Sequence, residues 1–171
     1  MKTIQINLYK FNELSEDAQQ KAIKELYYIN VDSNWWELTY EDAKNIGLKV
    51  DTFDTERNRH AKGEFLLDAC EVAANILKEH GEHCETYKTA TAFLKEWQPI
   101  FYDYLNEESE NYESSESEDK LMDIENDFLN SLLEDYALML ERECEYLQSE
   151  DAIIETIEAN DYDFNEDGTI H

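Results

Sequence analysis

KLMDIENDFLNSLLEDYALMLERECEYLQ, residues 120–148, is the longest stretch of helical period in the chain. Leu121, Ile124, Phe128, Leu132, Tyr136, Met139 and Leu140 share one broad face, because an α-helix turns once in about 3.6 residues. Asp123, Asp127, Glu134, Glu141 and Glu145 form a second set, and their steps of four, seven, seven and four return to nearly one line. The stretch therefore predicts a long helix with one face in a core and an acidic face in water. Almost no Lys or Arg interleaves with these acids, although i,i+4 ion pairs are easily placed on a helix.

The acid is concentrated in this half of the chain. Residues 101–171 carry 24 Asp and Glu against two bases, Lys120 and Arg142, so −22 of the formal −28 lies there. Charge that dense repels itself and works against a compact state. The apolar period says that the stretch folds nonetheless. At 171 residues, 42% of them hydrophobic, the chain is long enough to bury a core. Direct binding to DNA, RNA or anionic membrane is not expected, because holding phosphate takes Lys and Arg. The complement of this charge is a basic protein partner, including the nucleic-acid groove of another protein.

Outward from the long helix, residues 106–119 are rich in Ser and Glu and read as a solvated loop. A helix is expected from about Thr86 to Trp97, with a kink or restart at Pro99. Residues 48–53 and 62–65 read as a hairpin. Residues 66–80 follow helical period, closed by Gly81. Ser15 caps a helix that runs to about Ile29, with Ala18, Ala22, Ile23, Leu26 and Tyr27 as its buried stripe. Asp32 or Ser33 caps another, with Trp36, Leu38, Tyr40, Ala43 and Ile46 toward the core and Gly47 as a left-handed stop. Residues 3–11 alternate like a half-buried strand. At the other end, a helix over 150–159 precedes a strand and an Asp167-Gly168 turn. The fold class is α+β: a small antiparallel sheet with packed helices and a helical acidic C-terminal lobe. The N-terminal strand, the hairpin and the C-terminal segment build the sheet. Residues 1–85 form the scaffold and 86–171 the acidic lobe, together one compact unit.

Carboxylates on a rigid helix can imitate a row of phosphates. A step of four residues rises about 6 Å, comparable to successive phosphates on a nucleic-acid strand, about 3.4 Å per step along the axis plus a lateral offset. A charged outer face also serves plain solubility, and the two readings stand side by side. Tyr102, Tyr104, Tyr112 and Tyr146 are candidate aromatic anchors for a partner. Arg57, Arg59 and His60 decorate the hairpin turn or pair with the chain's own acids.

Asp163, Asn165 and Asp167 with Gly168 fit the first half of a calcium loop. A strand with an Asp-Gly turn is the plainer reading, and calcium the lesser alternative. His80, His83 and Cys84 lack the paired spacing of a zinc site, so a histidine near a helix end is the simpler account. Cys70, Cys84 and Cys144 read as reduced thiols. No cofactor is expected. Glycine-rich phosphate loops, a G-x-S-x-G elbow, an H-E-x-x-H helix and paired redox cysteines are absent. No signal peptide and no membrane span are expected.

Leu8-Tyr9-Lys10-Phe11-Asn12-Glu13-Leu14-Ser15, Trp35-Trp36-Glu37, Tyr40-Glu41-Asp42-Ala43 and Lys62-Gly63-Glu64-Phe65 carry a resemblance over the first ninety or so residues. In these the chain resembles a family of small uncharacterised phage and prophage proteins. The family brings no catalytic residues to carry over. The resemblance implies a phage-encoded protein in a host cytoplasm. By analogy it suggests an inhibitor of host nucleic-acid-targeting defence, of the anti-CRISPR or anti-restriction kind. The leading expectation is a non-catalytic acidic mimic that blocks the DNA- or RNA-binding channel of a host nuclease. The alternative is a structural or regulatory binding module for a basic protein.

Overall fold

The computed structural model describes residues 7–107 and 116–171. Among them are six α-helices and one two-stranded antiparallel sheet, an α+β fold. Contacts group the chain into two units: Met1–Trp35 with Arg142–His171, and Trp36–Glu141. This grouping differs from the division at residue 85/86 that charge and composition suggest.

In the first unit, a 3-10 turn at Phe11–Glu13 leads into α1, Glu16–Glu25. Ser15 caps α1 by accepting from the Ala18 N–H, and Glu16 and Asp17 sit at the positive end of the helix. In the same way Ser149 caps α6, Glu150–Ala159. Phe11, Leu14, Ala22, Ile23, Ile153, Ile157 and Phe164 bury together as the core of this unit. The expected sheet is corrected here. Of the predicted N-terminal strand, residues 3–6 lie outside the described residues, and Tyr9 pairs only with Phe164. Phe164 in turn bridges Ile170. Among the described residues the sheet holds the strands 48–54 and 60–65 alone, and in the first unit the Lys10 N–H donates to the Glu13 carboxylate while Phe11 meets Phe164 edge-on. The Asp167-Gly168 turn forms as expected, with the Gly168 N–H donating to the Asn165 carbonyl. Gly168 has φ +84°, and a Cβ there would lie 2.1 Å from the Ala18 carbonyl oxygen, so only glycine fits.

α1 ends at Glu25, short of the expected residue 29, and residues 26–35 follow in successive turns. Tyr27 is correspondingly exposed rather than buried, its hydroxyl donating to Gln148.

The second unit begins with α2, Glu37–Ile46, stopped by Gly47 at φ +94°. Its start is later than a cap at Asp32 or Ser33 would give, and no side chain caps it. Ala43 and Ile46 are buried, but Leu38 is 73% exposed, contrary to expectation. Strands β1, Leu48–Asp54, and β2, His60–Phe65, pair antiparallel with an irregularity between Val50 and Thr52. The Asp54 carboxylate closes the hairpin loop by accepting from the N–H groups of Glu56 and Arg57. Helix α3, Ala69–Glu79, starts at its Asp68 cap rather than at residue 66, leaving Leu66 and Leu67 outside it and exposed. His80, not Gly81, ends it.

Helix α4, Glu85–Glu107, runs through Pro99 without interruption. Proline removes one backbone donor, and Trp97 and Phe101, stacked at 4.3 Å, pack across that turn. Helix α5, Glu116–Leu147, begins four residues before the expected Lys120. Of the loop expected over 106–119, residues 108–115 lie outside the described residues and the flanks are helical. Acids in the first turn of α5 and a Glu116–Lys120 ion pair favour that earlier start. Residues 116–141 of α5 belong to the second unit. Their apolar face packs Phe128 on Phe93, stacked at 4.1 Å, and buries Leu132, Leu133 and Tyr136 among Ile46, Leu48, Val72 and Ile76.

Candidate functional site

The acidic line on α5 follows from this packing. With Phe128, Leu132 and Tyr136 turned into the core, the same helix leaves Asp123, Asp127 and Glu134 exposed and Glu141 half-buried. Glu145 is exposed and belongs to the first unit, so the row within the second unit has four members.

The hairpin supplies the row with a cationic neighbour. Arg59 donates from Nη1 to Glu141 Oε2 at 2.9 Å, and its Nη2 lies 3.6 Å from Glu134 Oε1. Glu141 foremost holds the guanidinium pKa above its ordinary value. Of the two alternatives for the basic hairpin turn, Arg59 thus takes pairing with the chain's own acids. Sequence spacing along the helix does not show this, because the arginine is 82 residues away.

Two further acids of α5 have other work. Glu125 accepts from the Trp97 indole N–H at 2.9 Å, and Asp135 accepts from the Thr89 hydroxyl at 2.7 Å. Both fasten α4 to α5. Burial raises the Asp135 pKa.

The candidate anchors separate. Tyr102 is 66% exposed on α4, and Tyr146 is 60% exposed in the first unit. Tyr104 is half-buried and stacks against Phe101. Tyr112 lies outside the described residues. Leu105 and Met122 are also exposed, near the C-terminal end of α4 and the N-terminal end of α5.

A polar cluster around the buried Tyr136 escapes the sequence reading. His80 Nδ1 lies 2.7 Å from the Thr86 hydroxyl oxygen, and the Tyr136 hydroxyl donates to Asp42 Oδ2 at 2.7 Å. His80 Nε2 is buried and faces Asp42 Oδ1 at 3.5 Å, longer than an ordinary hydrogen bond. His80 and then Tyr136 hold the Asp42 carboxyl below the usual carboxylate range, against the opposing effect of burial. Burial, reinforced by Asp42, pushes the Tyr136 hydroxyl far above its ordinary value. Hydroxyl, imidazole and carboxylate together have the composition of a catalytic relay. Thr86 and Tyr136 are closed to solvent while the Asp42 side chain is 49% exposed, and the cluster ties α2, the end of α3, α4 and α5 together. Its members come from four elements, and no spacing announces them.

The candidate calcium ligands have partners within the fold. Lys10 Nζ lies 2.8 Å from Asp163 and 2.9 Å from Asp161, and Lys21 Nζ lies 2.6 Å from Asp167. Asn165 Nδ2 donates to the Thr169 hydroxyl, and Asp167 Oδ1 accepts from the Thr169 N–H and hydroxyl. The candidate ligands are already used inside the fold. Lys21 first, then Thr169, hold the Asp167 carboxyl far below its ordinary range. Among the described residues, no group of three or more His, Cys, Asp or Glu is placed to hold a metal. His80 belongs to the cluster around Tyr136, while His83 and Cys84 are exposed. Burial raises the Cys70 thiol pKa to about 11, the character of an inert thiol.

Among the described residues no helix is long and apolar enough to cross a membrane. No protein-family model, curated protein or solved structure matches the chain.

Proposed function

We propose that this protein is a non-catalytic acidic inhibitor that presents the α5 carboxylates to the DNA- or RNA-binding channel of a basic partner. One observation carries the reading: Asp123, Asp127 and Glu134 stand exposed along one line of a helix whose other face is fixed in a core. A rigid row of anions loses little entropy on meeting a row of cations. It also steers a basic surface from a distance and speeds association. The resemblance to phage proteins suggests a host defence nuclease, a CRISPR effector or a restriction enzyme, as the partner. The test is inhibition of such a nuclease by the wild-type chain and by Asp123→Lys, Asp127→Lys, Glu134→Lys combined. Inhibition that weakens steeply with salt and is lost in the triple variant supports the reading. Undiminished inhibition by a folded triple variant refutes it.

A second reading has its own support. Tyr102, Leu105 and Met122 are exposed, and a phosphate mimic has no need of them. They suit a binding module that adds apolar anchors to charge, in a complex with a basic protein that nucleic acid does not disrupt.

A further inference from the structure

We infer that the C-terminal end of α4 and the N-terminal end of α5 form a docking surface for a basic amphipathic helix of a partner protein. This rests on the reading in which apolar anchors join charge. Among the described residues, the core of the second unit reaches Trp97 on α4 and Ile124 on α5 and goes no further. Both helices extend past it, α4 to Glu107 and α5 back to Glu116. They run side by side in opposite directions, since Phe93 stacks on Phe128 and the Trp97 indole donates to Glu125.

Each helix carries its core stripe beyond that end. On α4, Leu94, Phe101 and Leu105 follow steps of seven and four, and on α5, Met122, Leu129 and Leu133 do the same. Such steps return to one face of a helix. Leu94, Leu129 and Leu133 pack in the core, whereas Leu105 is 47% and Met122 58% exposed. Tyr102, also exposed, stands one turn from Leu105. Scattered apolar residues on a surface need no explanation, but two stripes that outrun one core at the same end make a patch.

Packing and charge give the chemistry of the occupant. Further along, α4 packs against helix α3, whose Val72, Ala73 and Ile76 share its core. A helix with apolar anchors at i, i+3, i+4 and i+7 continues that packing past the end of the core. Residues 98–105 and 116–124 carry five acids, Asp103, Glu116, Glu118, Asp119 and Asp123, against one base, Lys120. The rim therefore selects Lys and Arg on the flanks of the incoming helix. The same charge disfavours a second copy of this chain, which carries −28 itself.

The test is calorimetric titration of the full chain at physiological salt with two Leu/Lys peptides of roughly four helical turns. One places its leucines on a single face, and the other has the same composition with the leucines scattered around the helix. The first is expected to bind about tenfold tighter than the second. Leu105→Gln and Met122→Gln combined keep good helix formers and are expected to abolish that difference while leaving the scattered peptide unaffected. Equal binding of the two peptides by wild type, or a difference that survives in the folded double variant, overturns the inference and leaves an acidic face for a basic partner standing. Absence of binding by both peptides removes that reading as well. Self-association of the wild type in sedimentation, lost in the double variant, assigns the patch to a second copy and also overturns the inference. Melting curves establish that the double variant is folded, and Met122→Gln alone replaces it if it is not.

Discussion

Tyr136 on α5 donates its hydroxyl to Asp42 on α2 at 2.7 Å, across 94 residues of chain. Tyr136 is fully buried, and the other Asp42 oxygen faces His80 Nε2 at 3.5 Å. Tyr136→Phe keeps the ring and removes the donor. The carboxylate, with its side chain 49% exposed, then loses its shortest hydrogen bond and gains water. Urea unfolding is expected to show a loss of about 0.5–1.5 kcal/mol. A change within error would mean that water replaces the hydroxyl at no cost.

Asp42 and Asp135 are expected to respond to acid in opposite directions. The Asp42 pKa is lowered in the fold, so its contribution is present above the unfolded value of about 4 and is lost as pH falls through the folded value. The Asp135 pKa is raised, so its contribution is present below about 4 and is lost as pH rises through the folded value. Relative to wild type, Asp42→Asn should therefore flatten the fall in melting temperature on acidification. Asp135→Asn should steepen it and should be tolerated near neutral pH. Melting temperatures from about pH 3 to pH 7 check both signs.

Two glycines make a matched pair. An Ala at Gly168 combines a left-handed backbone with a Cβ 2.1 Å from the Ala18 carbonyl oxygen, whereas a Cβ at Gly81 meets nothing within 4 Å. Gly168→Ala is expected to destabilise by more than about 2 kcal/mol. Gly81→Ala should stay within about 0.5 kcal/mol of wild type. Hydrogen exchange should show the loss in Gly168→Ala first at Tyr9 and Phe164, whose backbones pair in the same unit.

Calcium and EDTA should leave the melting temperature unmoved. Lys10 already pairs with Asp161 and Asp163, and Lys21 with Asp167. A metal would have to displace both ammonium groups and the Thr169 donors. A rise in melting temperature with added calcium would show that it does.

Much of the fold was legible because local rules decide it. The 3.6 period placed α5, the Ser15 cap placed α1, and Gly47 stopped α2 as its position implied. Failures came where tertiary contacts override those rules. Residues 3–11 alternate like a strand, yet Tyr9 is the one described residue there that pairs, because Phe11 is drawn into a helical core. Pro99 suggested a kink or a restart, and the helix does not restart there, since one lost hydrogen bond does not end a helix held by aromatic packing. The acidic line was readable from spacing alone. Its partner Arg59 was not, since only the pairing of β1 with β2 and the packing of the hairpin by α5 bring the loop to the helix. The Asp42, His80, Thr86 and Tyr136 cluster was hidden for the same reason.

The central claim is that the α5 carboxylates stand in for nucleic-acid phosphates. Its most direct measurement is capture of basic proteins from a bacterial lysate on the immobilised chain, followed by elution with competing DNA or RNA. The account predicts that nucleic acid releases a nuclease from the wild-type chain and that the Asp123→Lys, Asp127→Lys, Glu134→Lys variant captures none of it. A nuclease retained by the triple variant, or held in the presence of excess DNA and RNA, would contradict the account.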